Sequence, residues 1–559
     1  MTVELESTSE TETPQHVPDI LDVIAALSSD TVPTPPLLAR ALLDLFPDEV
    51  WTNPDYKWLD PATKSGSILR EVARRLMGGL ANWEPSPHKR AEHILRNMIF
   101  GCGITQVHAE MTRRSVYVSR DATSDCALVR FEDAAGNLPF VEAQHDYPLN
   151  KQGQAAGSCK VCGAPVSLER GESRENYAYA FIHGAYPTEE VKHVKFDVIV
   201  GNPPYQTGAD GTSRTLPVYQ HFIEAAFALE PKYVAMIVPS RWFSGGLGLD
   251  DFRERMIADR RLRKIVDNPK VFDCFPGVTI QGGVNYFLWD SDHNGDCEFS
   301  TRVDGSVIST MTRDLRNGQG VIVRDNRAAD IVNQVVQMSD ASIADGVFPR
   351  LVFGDKFRTN FRGSPTTGEG QIPVIHNSGV GYILREELER GQELVDKWKV
   401  LIPMAYGGGQ GILEDGSVRV TVLGEPIAIG PGSICTETYF VVGAFEQPIE
   451  AENFAYYLAT KFVRFLVLQR KTTQHVTPDR FRFVPALDMT RRWSDGDLYR
   501  HFGLSSADVE YIEATINPRE PEIFLESSVP LSHLPGGSKY REPGVYLNTD
   551  DLVREDDEE

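Results

Sequence analysis

The stretch Asp197-Val198-Ile199-Val200-Gly201-Asn202-Pro203-Pro204-Tyr205 gathers chemistry at one point of the chain. The apolar run Val198, Ile199, Val200 predicts a strand that Gly201 stops. An amide, two prolines and an aromatic ring follow at once. Proline fixes φ at about −65° and restricts the residue before it, so Asn202 and Pro203 are held extended. The carbonyls they present are not consumed by a ladder. The Asn202 side-chain oxygen and the Pro203 carbonyl together accept both hydrogens of a planar NH2 group, with the Tyr205 ring beneath it. Such a site suits an amine that is held, made more tetrahedral and methylated. The structural alternative is a strand that ends in a Pro-rich turn.

The elements that position this turn belong to an α/β pattern. From residue 15 to about 300, strand-like apolar runs alternate with helical patterns, which predicts a parallel sheet. Tyr56 to Leu59 reads as a short strand leading into Asp60-Pro61-Ala62-Thr63-Lys64-Ser65-Gly66. A helix follows, with Ile68, Leu69, Val72 and Leu76 on one face. Tyr233 to Val238, Arg263 to Val266 and Val284 to Trp289 read as further strands. A strand, a small-residue turn and a helix form an anion- and nucleotide-binding corner, because turn amides and the helix N-terminus face the ligand. Asp60 would orient an amino group or ribose there, and Ser65 and Gly66 let the backbone approach closely. An Asp-Pro turn is also a common structural device. Its lying upstream of Asn202 in the same predicted sheet gives it weight, since open α/β sheets bind ligands beyond their strand carboxyl ends.

Asp60-Pro61-Ala62-x-x-Ser65-Gly66 followed by Asn202-Pro203-Pro204-Tyr205 resembles the adenine-specific DNA methyltransferases of restriction–modification systems. The order of cofactor motif, catalytic motif and large C-terminal recognition domain is similar to their gamma class. Thr34-Pro35-Pro36, with a predicted helix from Leu37 to Leu45, resembles the segment that closes over the methionine moiety of the cofactor. The match extends to about residue 515, including Phe462-Val463-Arg464-Phe465 and Thr473-Gln474-His475-Val476-Thr477. The resemblance implies a Rossmann-like fold, S-adenosyl-L-methionine as methyl donor, and double-stranded DNA as substrate. Cofactor contacts fall to Thr34, Pro35, Asp60, Pro61, Ala62, Ser65 and Gly66, and catalysis to Asn202, Pro203, Pro204 and Tyr205. Two residues depart from the family pattern. Lys64 stands where Gly is usual, and Gly103, in Ile99-Phe100-Gly101-Cys102-Gly103, stands where an acid usually binds the ribose hydroxyls.

The resemblance also implies the reaction. The exocyclic nitrogen of adenine is a poor nucleophile because its lone pair is delocalised into the ring. Two acceptors draw its hydrogens out of plane and localise that pair toward the sulfonium methyl, by preorganisation and alignment. The base must be flipped out of the duplex, and stacking offsets part of the unpairing cost. Tyr205 supplies one face, and Phe275 resembles the aromatic that supplies the other; the alternative for Phe275 is an ordinary core ring. Asp197 begins its strand, which suits a structural role.

An insertion between about 130 and 195 breaks the α/β rhythm and contains Cys159-Lys160-Val161-Cys162-Gly163, the single CxxC. Its spacing suits a zinc knuckle, with His145 and His183 as the remaining candidate ligands. The site would be structural, stapling a poorly cored module. Coincidence of two small apolar residues is the alternative. A zinc base deaminase is rejected as the reading of this pair.

At 559 residues the chain predicts two or three domains. No apolar run approaches the roughly 20 residues of a membrane span, and the first 14 residues lack a signal-peptide pattern, so a cytoplasmic enzyme without membrane attachment is expected. The net charge of −23 argues against nucleic acid at first. Part of it sits in acidic tails, and binding follows local potential. From Lys461 to Arg492 the chain is locally basic: Arg464, Arg470, Lys471 and Arg480 with Gln474 and His475 are candidate DNA contacts. Arg113 and Arg114 form a smaller candidate. A solvated helix face is the alternative.

The expected layout is a disordered acidic tail over 1–15, a methyltransferase domain over 16–305 and a mixed α+β target-recognition domain over 306–515. An acidic extension follows over 516–559. A separate restriction endonuclease or helicase subunit is an expected partner, since this chain shows no nuclease constellation. Competing readings are methylation of another planar amine (cytosine N4, an RNA base or a protein glutamine) and a catalytically weak DNA-binding specificity subunit.

Overall fold

The computed structural model describes residues 32–166, 178–206, 216–275, 278, 280, 282–404, 410–412, 418–420, 422–470 and 477–524. Both acidic tails, and Lys471, Gln474 and His475 of the basic stretch, lie outside the described residues. The chain divides into two compact units, Met1–Ile322 and Val323–Glu559.

The first unit is built on an eight-stranded mixed sheet. Its strands are β1 (Trp58–Thr63), β2 (Ile99–Gly103), β3 (Val198–Gly201), β4 (Tyr233–Pro239), β5 (Leu262–Asn268), β6 (Val284–Asp290), β7 (Cys297–Val303) and β8 (Ser306–Arg313). Their order is β2-β1-β3-β4-β6-β5-β7-β8. Strands β1 to β4 pair in parallel, as the alternating pattern predicts. Every residue of β1, β3, β4 and β6 is buried, which is why these runs are continuously apolar rather than alternating. Core clusters lie on both faces of the sheet, one including Leu59, Phe222 and Phe287, the other Trp58, Leu69 and Leu288.

Two strands depart from the parallel expectation. β6 runs antiparallel to both β4 and β5. Parallel neighbours need a crossover of a dozen or more residues, usually helical. Between Asn268 and Val284 the described residues contain only the short 3-10 turn Val271–Asp273, so the chain turns back on itself. β8 returns against β7 through Asp304 and Gly305, both at positive φ (50° and 78°). That is the backbone a two-residue hairpin favours, and it carries the sheet to Arg313.

The open edge at β2 is covered by the insertion. The Gly101 and Gly103 amides donate to the Asn137 and Pro139 carbonyls at 3.0 and 2.9 Å. This protects an edge that would otherwise template foreign strands.

The second unit holds three smaller sheets, of three, four and two strands. Its helices include Pro448–Ala459, Lys461–Leu468, Asp495–His501 and Ser506–Thr515. Phe462 stacks on Phe502 at 5.1 Å, and Phe465 meets Tyr511 edge-on at 5.8 Å. These rings close a helical core. No helix among the described residues is long and apolar enough to cross a membrane.

Candidate functional site

Strand order reverses beside β1, which has β2 on one side and β3 on the other. Ligands of open α/β sheets bind at such a switch point. Here it brings together the two motifs of the sequence, since Asp60 lies on β1 and Asn202 follows β3 directly. One narrow cavity is lined by Thr34, Asp60, Ala62, Lys64, Ser65, Gly66, Ser67, Ile68 and Asn202.

A register shift between Asp60 and Thr63 marks an irregularity in β1. Within it the Asp60 carboxylate accepts the Ala62 amide at 3.0 Å. Burial pushes the Asp60 carboxyl up to about 7, against smaller opposing effects of that amide and of Lys64. Helix α1 (Pro36–Leu43) begins just after Thr34, and helix α2 (Ser67–Gly79) begins just after Gly66. Gly66 has φ 75°, and a Cβ there would lie 2.9 Å from the Thr112 Cα. Only glycine fits both the left-handed backbone and the close approach of helix α3 (Gln106–Tyr117). Ser67 Oγ donates to the Thr34 carbonyl at 2.7 Å and so ties the 32–35 segment to the start of α2.

Asn202 is buried, and its Nδ2 donates to Thr34 Oγ1 at 3.1 Å. Its Oδ1 is buried and accepts no hydrogen bond among the described residues. A buried acceptor without a partner is costly in a folded protein and calls for an explanation. Pro203 and Pro204 are buried beside it. The Tyr205 ring is half-buried and meets Phe275 at 6.4 Å and 75°. Phe275 is itself fully buried and belongs to the core cluster around Trp58. In this state it packs edge-to-face on Tyr205 and does not form a parallel wall. Asp197 accepts the Lys57 amide at 3.0 Å at the far end of β3, a structural contact.

Both sequence departures have physical settings. Lys64 is buried; its Nζ donates to the Val32 carbonyl at 3.2 Å and lies 5.9 Å from the Tyr205 ring centroid. Thus it bridges the N-terminal segment and the Asn-Pro-Pro-Tyr turn. A Cβ at Gly103 would lie 2.6 Å from the Ala109 amide, so no acidic side chain fits there. The sequence reading passed over His108, in the first turn of α3. His108 Nδ1 lies 2.7 Å from Thr105 Oγ1, and burial, with the nearby Lys64 charge, lowers the imidazole to about 4. It is therefore a neutral ring at physiological pH. Its only trace in sequence is its place one turn beyond the strand that ends at Gly103.

In the insertion, His145, Cys159, Cys162 and His183 bring one ligand atom each within 4.8 Å of all the others. Cys159 Sγ lies 3.5 Å from His183 Nε2, and Cys162 Sγ 3.4 Å from His145 Nδ1. Zinc at about 2.3 Å from sulfur and about 2.0–2.1 Å from nitrogen sets a tetrahedral S···N separation of about 3.5 Å. The turn between the cysteines has the matching backbone: the Gly163 amide donates to the Cys159 carbonyl at 2.9 Å, with Gly163 at φ 76°. His183 Nδ1 lies 2.9 Å from the Tyr179 carbonyl, the kind of outer contact that fixes a ligating histidine's tautomer.

The basic stretch is largely consumed inside the second unit, which corrects two of its expected DNA contacts, Arg464 and Arg470, and engages part of a third, Arg480. Arg464 is fully buried, and its Nε donates to the Ala459 and Thr460 carbonyls at 3.0 and 3.2 Å. Arg470 is buried, paired with Asp479 at 2.9 Å and set over the Phe483 ring at 4.8 Å. Arg480 is half-buried and donates to the Arg470 carbonyl. Arg492 pairs with Glu452 at 2.9 Å. Helical and loop packing has claimed charges that a linear reading assigns to the surface. In the first unit Arg113 is likewise buried, donating to the Leu138 carbonyl at 3.0 Å.

Comparison with known proteins adds sequence evidence. The family described as Eco57I restriction-modification methylase matches residues 97–275, a span that includes the Asn-Pro-Pro-Tyr turn and Phe275. A Mycoplasma pneumoniae (strain ATCC 29342 / M129 / Subtype 1) protein described as an uncharacterized adenine-specific methylase is 32% identical over 358 residues, covering 57% of this chain and 83% of that protein. Among solved structures, one of a DrdV–DNA complex matches 87% of this chain and 57% of its own, at 11% identity and a TM-score of 0.40. A type I restriction-modification methyltransferase subunit from Streptococcus thermophilus matches 53% and 55%, at 12% identity and a TM-score of 0.31. The chain thus spans a little over half the length of these two structures. Likeness this slight has no weight beside the sequence match.

Proposed function

The chain belongs to the adenine-specific methylases, and from that premise we propose that it transfers a methyl group from S-adenosyl-L-methionine to the N6 amine of an adenine flipped out of double-stranded DNA. One observation carries the reading: the buried Asn202 Oδ1 has no hydrogen bond to accept among the described residues, while its Nδ2 is held by Thr34. An amide fixed in this way offers an acceptor where an NH2 group needs one. The Pro203 carbonyl is the second acceptor. Together they pull the two amine hydrogens from the ring plane and concentrate the lone pair on nitrogen. As the nitrogen attacks the methyl carbon, the carbon–sulfur bond breaks and its electron pair returns to sulfur. The product ammonium then loses a proton to solvent.

The residues around the cavity suit the donor. Asp60 is a buried carboxyl facing a polar pocket, matched to the donor's amino group; Ser65 and Gly66 bring backbone close to it. Tyr205 offers a ring face to the target base. Replacing the edge-on contact with Phe275 by stacking on the base offsets part of the cost of unpairing. In this reading the first unit performs the transfer and the second reads the DNA sequence. Restriction or translocation, where it accompanies methylation, falls to a separate chain. The His145, Cys159, Cys162 and His183 cluster holds a structural zinc ion.

The test is methylation-sensitive sequencing of DNA from cells expressing the protein or its Asn202→Ala variant. N6-methyladenine at one short motif, lost in the variant, is the expected result. Equal methylation by the variant would overturn the role of Asn202. Absence of methylation by both, with no binding of S-adenosyl-L-methionine, would favour a DNA-binding subunit without transferase activity.

A further inference from the structure

The zinc cluster lies in an insertion, yet it is joined to the catalytic turn by a short run of packed groups. His183 Nδ1 lies against the Tyr179 carbonyl at 2.9 Å. The Tyr179 ring meets Phe222 edge-on at 5.6 Å, and Phe181 stacks on the same ring at 6.2 Å. Phe222 is fully buried in helix α4 (Tyr219–Ala228). That helix starts immediately after Val218, whose amide donates to the Tyr205 carbonyl at 3.1 Å. A second contact runs alongside: a Cβ on Gly163, next to the ligand Cys162, would lie 3.1 Å from Leu216 Cδ1. Leu216 is two residues before Val218. The far side of the turn is thus braced by elements that the knuckle holds.

On the zinc site proposed above, we propose that the metal acts as a clamp on the amine-acceptor side of the active site. With zinc bound, the 178–186 segment is fixed, Tyr179 and Phe181 fix α4, and the start of α4 holds the Tyr205 backbone. Packed side chains in contact transmit position because protein interiors are close to crystalline density. The cofactor side rests on β1, the start of α2 and the 32–35 segment; it meets the acceptor turn at Asn202, and Leu59 and Ala62 of β1 reach the core around the knuckle cysteines. Loss of zinc therefore loosens the acceptor turn, which α4 holds directly, more than it affects the cofactor corner. A knuckle that merely stapled its own insertion would affect neither.

Hydrogen exchange separates these outcomes without knowledge of the DNA sequence recognised. The full chain is purified without chelator and its zinc measured by elemental analysis. Exchange is then followed by mass spectrometry in the native protein, in protein stripped with a zinc chelator, and in Cys159→Ser. Binding of S-adenosyl-L-methionine is measured on each by calorimetry. One zinc per chain is expected in the native protein. Removal should speed exchange in peptides covering residues 200–206 and 216–223 at least tenfold, and leave peptides over β1 and cofactor affinity within twofold.

A Phe222→Leu variant, which shortens the packed run without touching a ligand, should retain one zinc and still show faster exchange at Val218. Native protein without zinc overturns the site and the clamp. Zinc present but with faster exchange confined to residues 145–186 overturns the clamp alone. Failure of every preparation to bind S-adenosyl-L-methionine would count against the methyltransferase reading while leaving the zinc result to stand.

Discussion

Asn202 Nδ2 donates to Thr34 Oγ1 at 3.1 Å across 168 residues of chain, and this contact decides which end of the amide faces the cavity. Without it the amide would gain little from pointing its oxygen at an amine. Thr34→Val keeps the shape and removes the acceptor. The net worth of one such bond is about 0.5–1.5 kcal/mol, so kcat should fall by about two- to tenfold; because Thr34 also lines the cofactor cavity, affinity for S-adenosyl-L-methionine should fall by no more than the same factor. Single-turnover methyl transfer and calorimetry check the two parts. An unchanged kcat would mean that Asn202 is oriented by something else.

On the proposed pairing of Asp60 with the donor's amino group, cofactor affinity should depend on pH. Its carboxyl is pushed up to about 7 by burial, from an ordinary value of 3.8. A cationic donor group favours the ionised form, so binding releases the proton held below pH 7. Affinity should rise about tenfold per pH unit on approaching 7 and level off above it. The sign for folding is opposite. The folded state binds this proton more tightly than the unfolded state, so the contribution to stability is full below pH 3.8 and lost as pH rises through 7. Asp60→Asn should flatten both profiles, as read by calorimetry and by thermal unfolding between pH 5 and 8.

How far these features could be read in advance depended on their range along the chain. The Asn202 turn and the Asp60 corner are local: proline, glycine and a strand fix them within a few residues, so residue types alone indicated that the two turns meet at one end of the sheet. The His/Cys cluster needed only that His145 and His183 flank one CxxC in a small insertion. The reversal at β6 was less legible, because a continuously buried strand has the same composition in either direction. Arg464 was misread for a related reason. A charge in sequence carries no sign of burial, and this one sits under Ala459 and Thr460 carbonyls that only the helix junction brings near. His108 was invisible because its place beside Lys64 depends on how α3 packs on the cofactor turn.

Arg464 provides a direct test of that correction. If it neutralised a DNA phosphate, its removal would lower the salt slope of binding by about 0.9. As a buried group bonded to two carbonyls, its removal should destabilise the fold by about 3 kcal/mol, within the range for broken buried polar networks. For Arg464→Met the expected result is a clear drop in Tm with an unchanged salt slope. Thermal unfolding and DNA-binding titrations across a series of salt concentrations separate the two.

Gly103 closes the question of the missing acid. Restoring an acidic residue there would be a natural attempt to strengthen cofactor binding, if the position were merely vacant. The Cβ of Gly103→Asp would, however, lie 2.6 Å from the Ala109 amide and 2.7 Å from the Ala109 Cβ. Backbone lies in the way, so α3 must shift, and overpacking of this kind costs about 1–3 kcal/mol. Because α3 also packs its Thr112 against Gly66, the shift would reach the cofactor turn. Gly103→Asp should therefore lower Tm and weaken binding of S-adenosyl-L-methionine, as read by thermal unfolding and calorimetry. Tighter binding by Gly103→Asp would show that α3 yields easily and that the glycine is an unfilled acidic position after all.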